Sequence, residues 1–304
     1  RQRGGFVLTD ELAQAGHSEF FGLTIETGFG SPATLCFSTM SPIGFLDEDI
    51  HRIQLGCQRL EPFFQKEMWA SLAKTLSVTY LGKDAGKRVL DGQISRGDVT
   101  KQNAIVWFCD LRDSSRLAVE NPDIEFIAEL NTFFEVVGDC IEPRGGQILK
   151  FIGDAVLGLF PIRDESPGHA SDMAVAAALE CLEQLETINK DRVKKQKRPL
   201  RCGIGLHAGM VTYGNIGTPS RLDFTAVGET VNLASRIEAL CKRKNAFLLV
   251  SKAVAERCST PLVSIGTYRL EGHENMIEIF GLTADRIFEA SSAAPAIIPP
   301  VMDL

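Results

Sequence analysis

No stretch of this 304-residue chain approaches the roughly 18 consecutive apolar residues of a membrane span, and nothing at its start reads as a signal peptide. Basic charge is in the minority. Against 39 Asp and Glu the chain carries 32 Lys and Arg, a net charge of −7 and a pI near 5.4. That balance excludes a general nucleic-acid binder, which concentrates cations on its surface, so any anionic ligand must be met by local groups. The eight cysteines, at 36, 57, 109, 140, 181, 202, 241 and 258, form no CxxC pair. Several sit inside apolar runs as small hydrophobes would, and they read as reduced thiols of a cytoplasmic protein. An initiating Met is also missing, and the sequence opening at Arg1 is expected to be a fragment.

What is present is a globular composition, 44% hydrophobic and 23% charged, long enough for about two domains at roughly 150 residues each. The first segment, 1–80, has a strand-like ATLCFS that leads through SPIGF into a helical pattern. Ile50, Ile53, Leu55, Leu60, Phe63, Phe64, Met68, Leu72 and Leu76 recur there at helical spacing, with Pro62 expected to weaken a single unbroken helix. The glycine-rich, charged stretch that begins LGKDAGKRVLDG reads as a linker over 81–101 and marks a domain boundary.

From Ala104 the pattern predicts an α/β sandwich with its helices on one face. AIVWFCD is a buried strand, IEFIAELNTFFEVVGDCI an amphipathic helix, and GQILKFIGDAVLGLF two strands around a tight turn. The helix DMAVAAALECLEQLETIN, the strands CGIGLHAG and RLDFTAVG, the helix TVNLASRIEALCKR and the β-rich FLLVS and IEIFGL follow. The tail, 284–304, ends in Ala- and Pro-rich sequence and reads as a mobile extension.

Two aspartates stand out. Asp154 falls at the tip of the predicted hairpin, and Asp110 ends the VWFCD run. A carboxylate at a strand end beside an apolar run is costly unless a cation or hydrogen bonds compensate it, which points to magnesium and phosphate chemistry. Taken singly, Asp110 also suits a helix cap before Ser114 and Asp154 an ordinary turn residue. The segment Arg112, Asp113, Ser114 and Ser115 lies between a strand end and a helix start, where backbone N–H groups suit phosphate.

The ordered set FCDLR, LKFIGDAVLGLF, GIGLHAG and DFTAVGETVNLASRIE resembles the class III nucleotide cyclase catalytic domain, in its bacterial adenylate cyclase version, over residues 102–283. The residues before it, ending GFLDEDIHRIQLGCQRL, more loosely resemble the C-terminal half of a GAF-type sensor, in a smaller N-terminal α/β segment. The resemblance implies a ferredoxin-like α/β fold with a mixed, mainly antiparallel sheet and the conversion of ATP to cyclic AMP and pyrophosphate. It assigns Asp110, Asp154 and the Leu111 carbonyl to two Mg2+ or Mn2+ ions, which activate the 3′-hydroxyl and neutralise the triphosphate. It assigns Lys150 and Thr225 to adenine, Arg221 to the basic position ahead of the DFTAVG strand, Asn232 to the ribose and Arg236 to the α-phosphate. It further implies a homodimer with composite sites, in which the aspartates of one subunit face the Lys, Thr, Asn and Arg set of the other.

Two positions depart from the family's pattern. Asp113, Ser114 and Ser115 stand where relatives read roughly DLRGFT, and Glu271 stands where relatives often place a triphosphate-binding lysine. A weakened, nucleotide-binding regulatory domain is therefore the competing expectation, with a guanylate cyclase behind it. The basic run DRVKKQKRPLR reads as a solvated loop rather than a nucleic-acid or membrane patch, and His207 as a satisfied core histidine.

Overall fold

The computed structural model describes residues 7–28, 32–163 and 167–282, so the expected tail from 284 lies outside the described residues. The chain divides into two compact units, residues 1–80 and 81–304. Among the described residues no helix is long and apolar enough to cross a membrane.

The first unit contains α1 (Val7–Gln14), the antiparallel pair β1 (Glu19–Ile25) and β2 (Ala33–Thr39), and the long helix α2 (Asp47–Leu81). Phe21 stands opposite Phe37 in the ladder and stacks on it at 5.5 Å, and Phe45 closes on Phe21 edge-on at 4.9 Å. Asp47, Glu48 and Asp49 occupy the first turn of α2, where the helix dipole favours anions. The helix runs unbroken through Pro62, against expectation. Proline removes the hydrogen bond to the carbonyl four residues back, on Gln58, and that residue is solvent-exposed, so water can satisfy the freed oxygen.

The second unit opens with α3 (Lys83–Leu90) inside the stretch expected as a linker. Ala85 of α3 is buried in the core, and Asp84 accepts a hydrogen bond from the Tyr213 hydroxyl. Then come β3 (Val99–Leu111), α4 (Ser114–Glu120), α5 (Asp123–Ile141), the hairpin β4 (Gln147–Ile152) and β5 (Ala155–Pro161), and α6 (Pro167–Lys194). The chain continues through β6 (Cys202–Thr218), β7 (Arg221–Val227), α7 (Glu229–Lys244), β8 (Leu248–Ser251), α8 (Lys252–Ala255), β9 (Val263–Arg269) and β10 (Met276–Gly281). The strands form one mixed sheet in the order β4-β5-β3-β6-β8-β10-β9, with β7 attached to β6. All pairings are antiparallel except β6 with β8, which α7 connects as a crossover.

Alternation along β3 and β6 sends side chains to both faces of the sheet. Ile105, Trp107, Cys109 and Leu111 of β3 join Cys202, Ile204, Leu206 and Ala208 of β6 in a core under α5 and α6. The opposite face is covered as well, which corrects the one-face expectation: α7 lies there, against Gly203, Gly205 and Gly209 of β6. At Gly205 the helix backbone lies directly on the strand, and over Gly203 and Gly209 the Glu238 and Thr230 side chains fill the space that a Cβ would take. A Cβ on Gly205 would sit 2.4 Å from the Glu238 amide nitrogen and 2.5 Å from the Ala234 carbonyl oxygen. Both obstacles are backbone and cannot rotate away. Gly205→Ala is therefore expected to lower stability by about 1–3 kcal/mol through overpacking; a thermal unfolding midpoint equal to that of the parent chain would refute this packing.

Candidate active site

Asp110 ends β3 and is flanked by Ala155 of β5 and Gly203 of β6. Gly153 and Asp154 form the two-residue turn between β4 and β5, and Gly153 takes a φ of 64°, as a first turn position of this kind requires. The strand end and the turn meet: the Leu111 amide approaches the Asp154 carbonyl at 3.4 Å, and the two carboxyl groups lie close enough to act on one another. Partial burial, and then the Asp154 charge beside it, push Asp110 up to about 6. Two carboxylates and an adjacent carbonyl make a hard oxygen donor set of the kind Mg2+ or Mn2+ takes. Among the described residues no third His, Cys, Asp or Glu converges on them, so phosphate oxygens and water would complete such a shell.

Arg112 goes elsewhere. Its amide donates to the Arg201 carbonyl, and its guanidinium donates to the carbonyls of Cys241 (3.3 Å) and Ala246 while lying 5.0 Å from the Phe247 ring centre. It fastens the end of β3 to the C-terminus of α7, and of the backbone amides expected to suit phosphate, that of Arg112 is already bonded to Arg201. Asp113 adopts a left-handed conformation (φ 59°) and is exposed, and Ser114 and Ser115 open α4.

The second half of β6 folds back with β7 over the sheet. Phe224 and Ala226 pack inward on Ala104, Val106, Leu157 and Leu159, so the alternate residues Asp223 and Thr225 are turned the other way, on the side of β4. Lys150 of β4 donates to Asp223 at 2.5 Å, and this contact holds Asp223 below its usual range. Lys150 thus meets Asp223, which was unanticipated from sequence, and Thr225 follows two residues on along the same strand face. The signal for Asp223 was present as the residue two before Thr225 on a strand. Arg221 stays at the exposed start of β7.

Asn232 and Arg236 are both exposed on α7, one turn apart. Arg236 meets Glu271 at 3.5 Å, and Glu229 meets His273 at 3.0 Å. Glu238, on the inward face, was not among the site residues expected from the sequence. It lies over Gly203, where a Cβ would come within 2.6 Å of its carboxylate, and burial followed by the Asp110 charge raises it to about 8.

His207 contacts the Ser251 hydroxyl at 2.8 Å, and burial lowers it to about 4, so it is neutral at physiological pH. The basic run starts inside α6 rather than in a loop. Arg192 is buried against Glu129 at 2.8 Å and Arg198 pairs with Glu120 at 2.9 Å, which neutralises much of the run within the unit.

A model of the adenylate and guanylate cyclase catalytic domain matches residues 98–283. An adenylate cyclase of Anabaena cylindrica is 33% identical over 172 residues, 55% of this chain and 33% of that protein. Adenylate cyclase 1 of Rhizobium meliloti is 27% identical over 196 residues, 64% of this chain and 29% of that protein. The chain thus spans about a third of the length of these curated relatives. Among solved structures, a bacterial light-regulated adenylyl cyclase shares the fold at a TM-score of 0.61, with 22% identity over 77% of this chain and 69% of that one. The guanylyl cyclase Cya2 does so at 0.51, with 27% identity over 60% of this chain and 92% of that one.

The raised Glu238 carboxyl makes stability depend on pH with a definite sign. The folded state binds its proton more tightly than the unfolded chain, whose value is near 4.5, so stability falls as pH rises from about 4.5 through about 8. Thermal melts at pH 6 and pH 8.5 should show the parent chain losing more stability over that interval than Glu238→Gln. Equal losses would contradict the burial of this charge.

Proposed function

The chain belongs to the adenylate and guanylate cyclase catalytic domain family, and within it we propose an adenylate cyclase that makes 3′,5′-cyclic AMP and pyrophosphate from ATP at a homodimer interface. The observation that carries the choice of base is Lys150 anchored by Asp223 beside Thr225. An ammonium group donates to N1 of adenine, and the threonine oxygen accepts from the exocyclic amine. Guanine presents a donor at N1, which lysine cannot satisfy.

In this reading Asp110 and Asp154 hold divalent cations, which when bound lower the pKa of the 3′-hydroxyl and neutralise triphosphate charge. The 3′-oxygen attacks the α-phosphorus, its proton passes to solvent water, and the bond from the α-phosphorus to the bridging oxygen breaks with release of pyrophosphate. Asn232 fixes the ribose, and Arg236 meets the charge that grows on the α-phosphate in the transition state. The Asp113–Ser115 amides and Arg221 bear on the phosphates. The two sets act across the dimer. Support for pairing comes from α2, which exposes Leu60, Phe63, Met68, Trp69 and Leu76, an apolar surface that a lone helix would leave wet. The N-terminal unit fits a sensor-derived segment that sets dimer geometry.

Cyclic AMP from ATP with Mg2+ or Mn2+, absent in Asp154→Ala, is the expected product; cyclic GMP from GTP at equal rate would overturn the base assignment. Mixing Asp154→Ala with Arg236→Ala chains should restore about a quarter of parent activity, because random pairing gives half heterodimers with one intact site each. No recovery would contradict composite sites.

One contact favours the second reading, a weakened regulatory domain. Glu271 competes with substrate for Arg236. An exposed ion pair is worth about 0.2–1 kcal/mol, so Glu271→Gln should raise kcat up to roughly fivefold with little change in KM. A variant as slow as the parent would show that Glu271 does not restrain turnover.

A further inference from the structure

At the C-terminal end of α7 lies a cavity of about 330 Å³ that none of the assigned residues lines. Leu182 of α6, Phe247, Leu249 of β8, Ile265 and Tyr268 of β9, and Leu282 form its mostly apolar wall, and Lys244 and Asn245 are its polar members. Lys244 holds its ammonium 4.8 Å from the Tyr268 ring centre and, among the described residues, has no carboxylate partner. No acidic side chain lines the cavity. The electrostatics are one-sided: the last turn of α7 carries Lys242, Arg243 and Lys244, and the negative end of its helix dipole is already capped by Arg112.

We infer that this cavity binds a small amphipathic carboxylate, its apolar body against Phe247, Leu249 and Ile265 and its carboxylate on Lys244. The volume is at the lower end of the range of about 300–1,000 Å³ for ligand pockets, which suits an aryl or medium-chain acid. A nucleotide is excluded by charge, since one lysine on an apolar wall does not balance a triphosphate. The site is joined to the carboxylate pair by one side chain. Phe247 stacks on Arg112, two residues from Asp110, so a ligand pressing on Phe247 bears on the end of β3. This inference stands whether or not the base assignment above does.

Calorimetric titration of the full chain with decanoate should give one saturable site per chain, with decyltrimethylammonium giving none. Lys244→Glu, a surface change, should weaken decanoate at least tenfold, and Leu249→Trp should fill the cavity and abolish binding. Binding that is not saturable, or that survives Lys244→Glu unchanged, overturns the site even if Leu249→Trp fails to fold. Hydrogen exchange in the peptide over residues 108–117 should slow when decanoate is bound; unchanged exchange with the site occupied overturns the link to Arg112.

Discussion

The backbone of α7 rests directly on the backbone of β6, and the candidate site is built outward from that contact. Gly203, Gly205 and Gly209 remove the side chains that would otherwise hold a helix at its usual distance from a strand. With the helix so close, its inward face meets the strand at Glu238 and its outward face carries Asn232 and Arg236. The same approach brings the end of α7 within reach of Arg112, whose guanidinium donates to the Cys241 and Ala246 carbonyls there and places a cation at the negative end of the helix. One packing distance therefore fixes three groups of side chains.

The cost of the arrangement is electrostatic. Asp110 is held at a partly buried strand end beside the Asp154 charge, and Glu238 lies near enough to feel Asp110. Like charges held together out of water destabilise a fold unless a cation or a proton offsets them. Perturbed carboxyls that no structural ion pair explains fit the proposed role of receiving positive charge. Structural ion pairs look different here: Glu129 meets Arg192 at 2.8 Å with Lys197 farther off, and Glu120 meets both Arg116 and Arg198 at 2.8–2.9 Å, so each carboxylate is offset by cations.

A second constraint comes from β6, which is long enough to pair with β3 along its length and then turn back with β7 over the sheet. Burial of Phe224 and Ala226 drives that fold-back and decides which face Asp223 and Thr225 present. The Lys150 to Asp223 contact, 73 positions apart in sequence, is a by-product of that hydrophobic closure. It gives the lysine a fixed position, the kind of preorganisation on which the proposed base recognition relies.

Much of this was legible in the sequence. Apolar periodicity and turn residues located β3, the β4–β5 hairpin with its Gly-Asp tip, α5, α6, β6 and α7, and the strand-end position of Asp110 with the turn position of Asp154 marked the carboxylate pair. These are local signals, because hydrogen bonds within a helix or a two-residue turn are set by neighbouring residues. What the sequence by itself left undecided depends on partners far along the chain: the second covered face of the sheet, the Arg112 guanidinium at the end of α7, Asp223 placed beside Lys150, Glu271 beside Arg236, and α3 drawn from a stretch that reads as linker. Local pattern gives each residue a direction on its own element. Only the packing of one element on another, glycine strand against helix and folded-back ribbon against sheet, decides what lies in that direction.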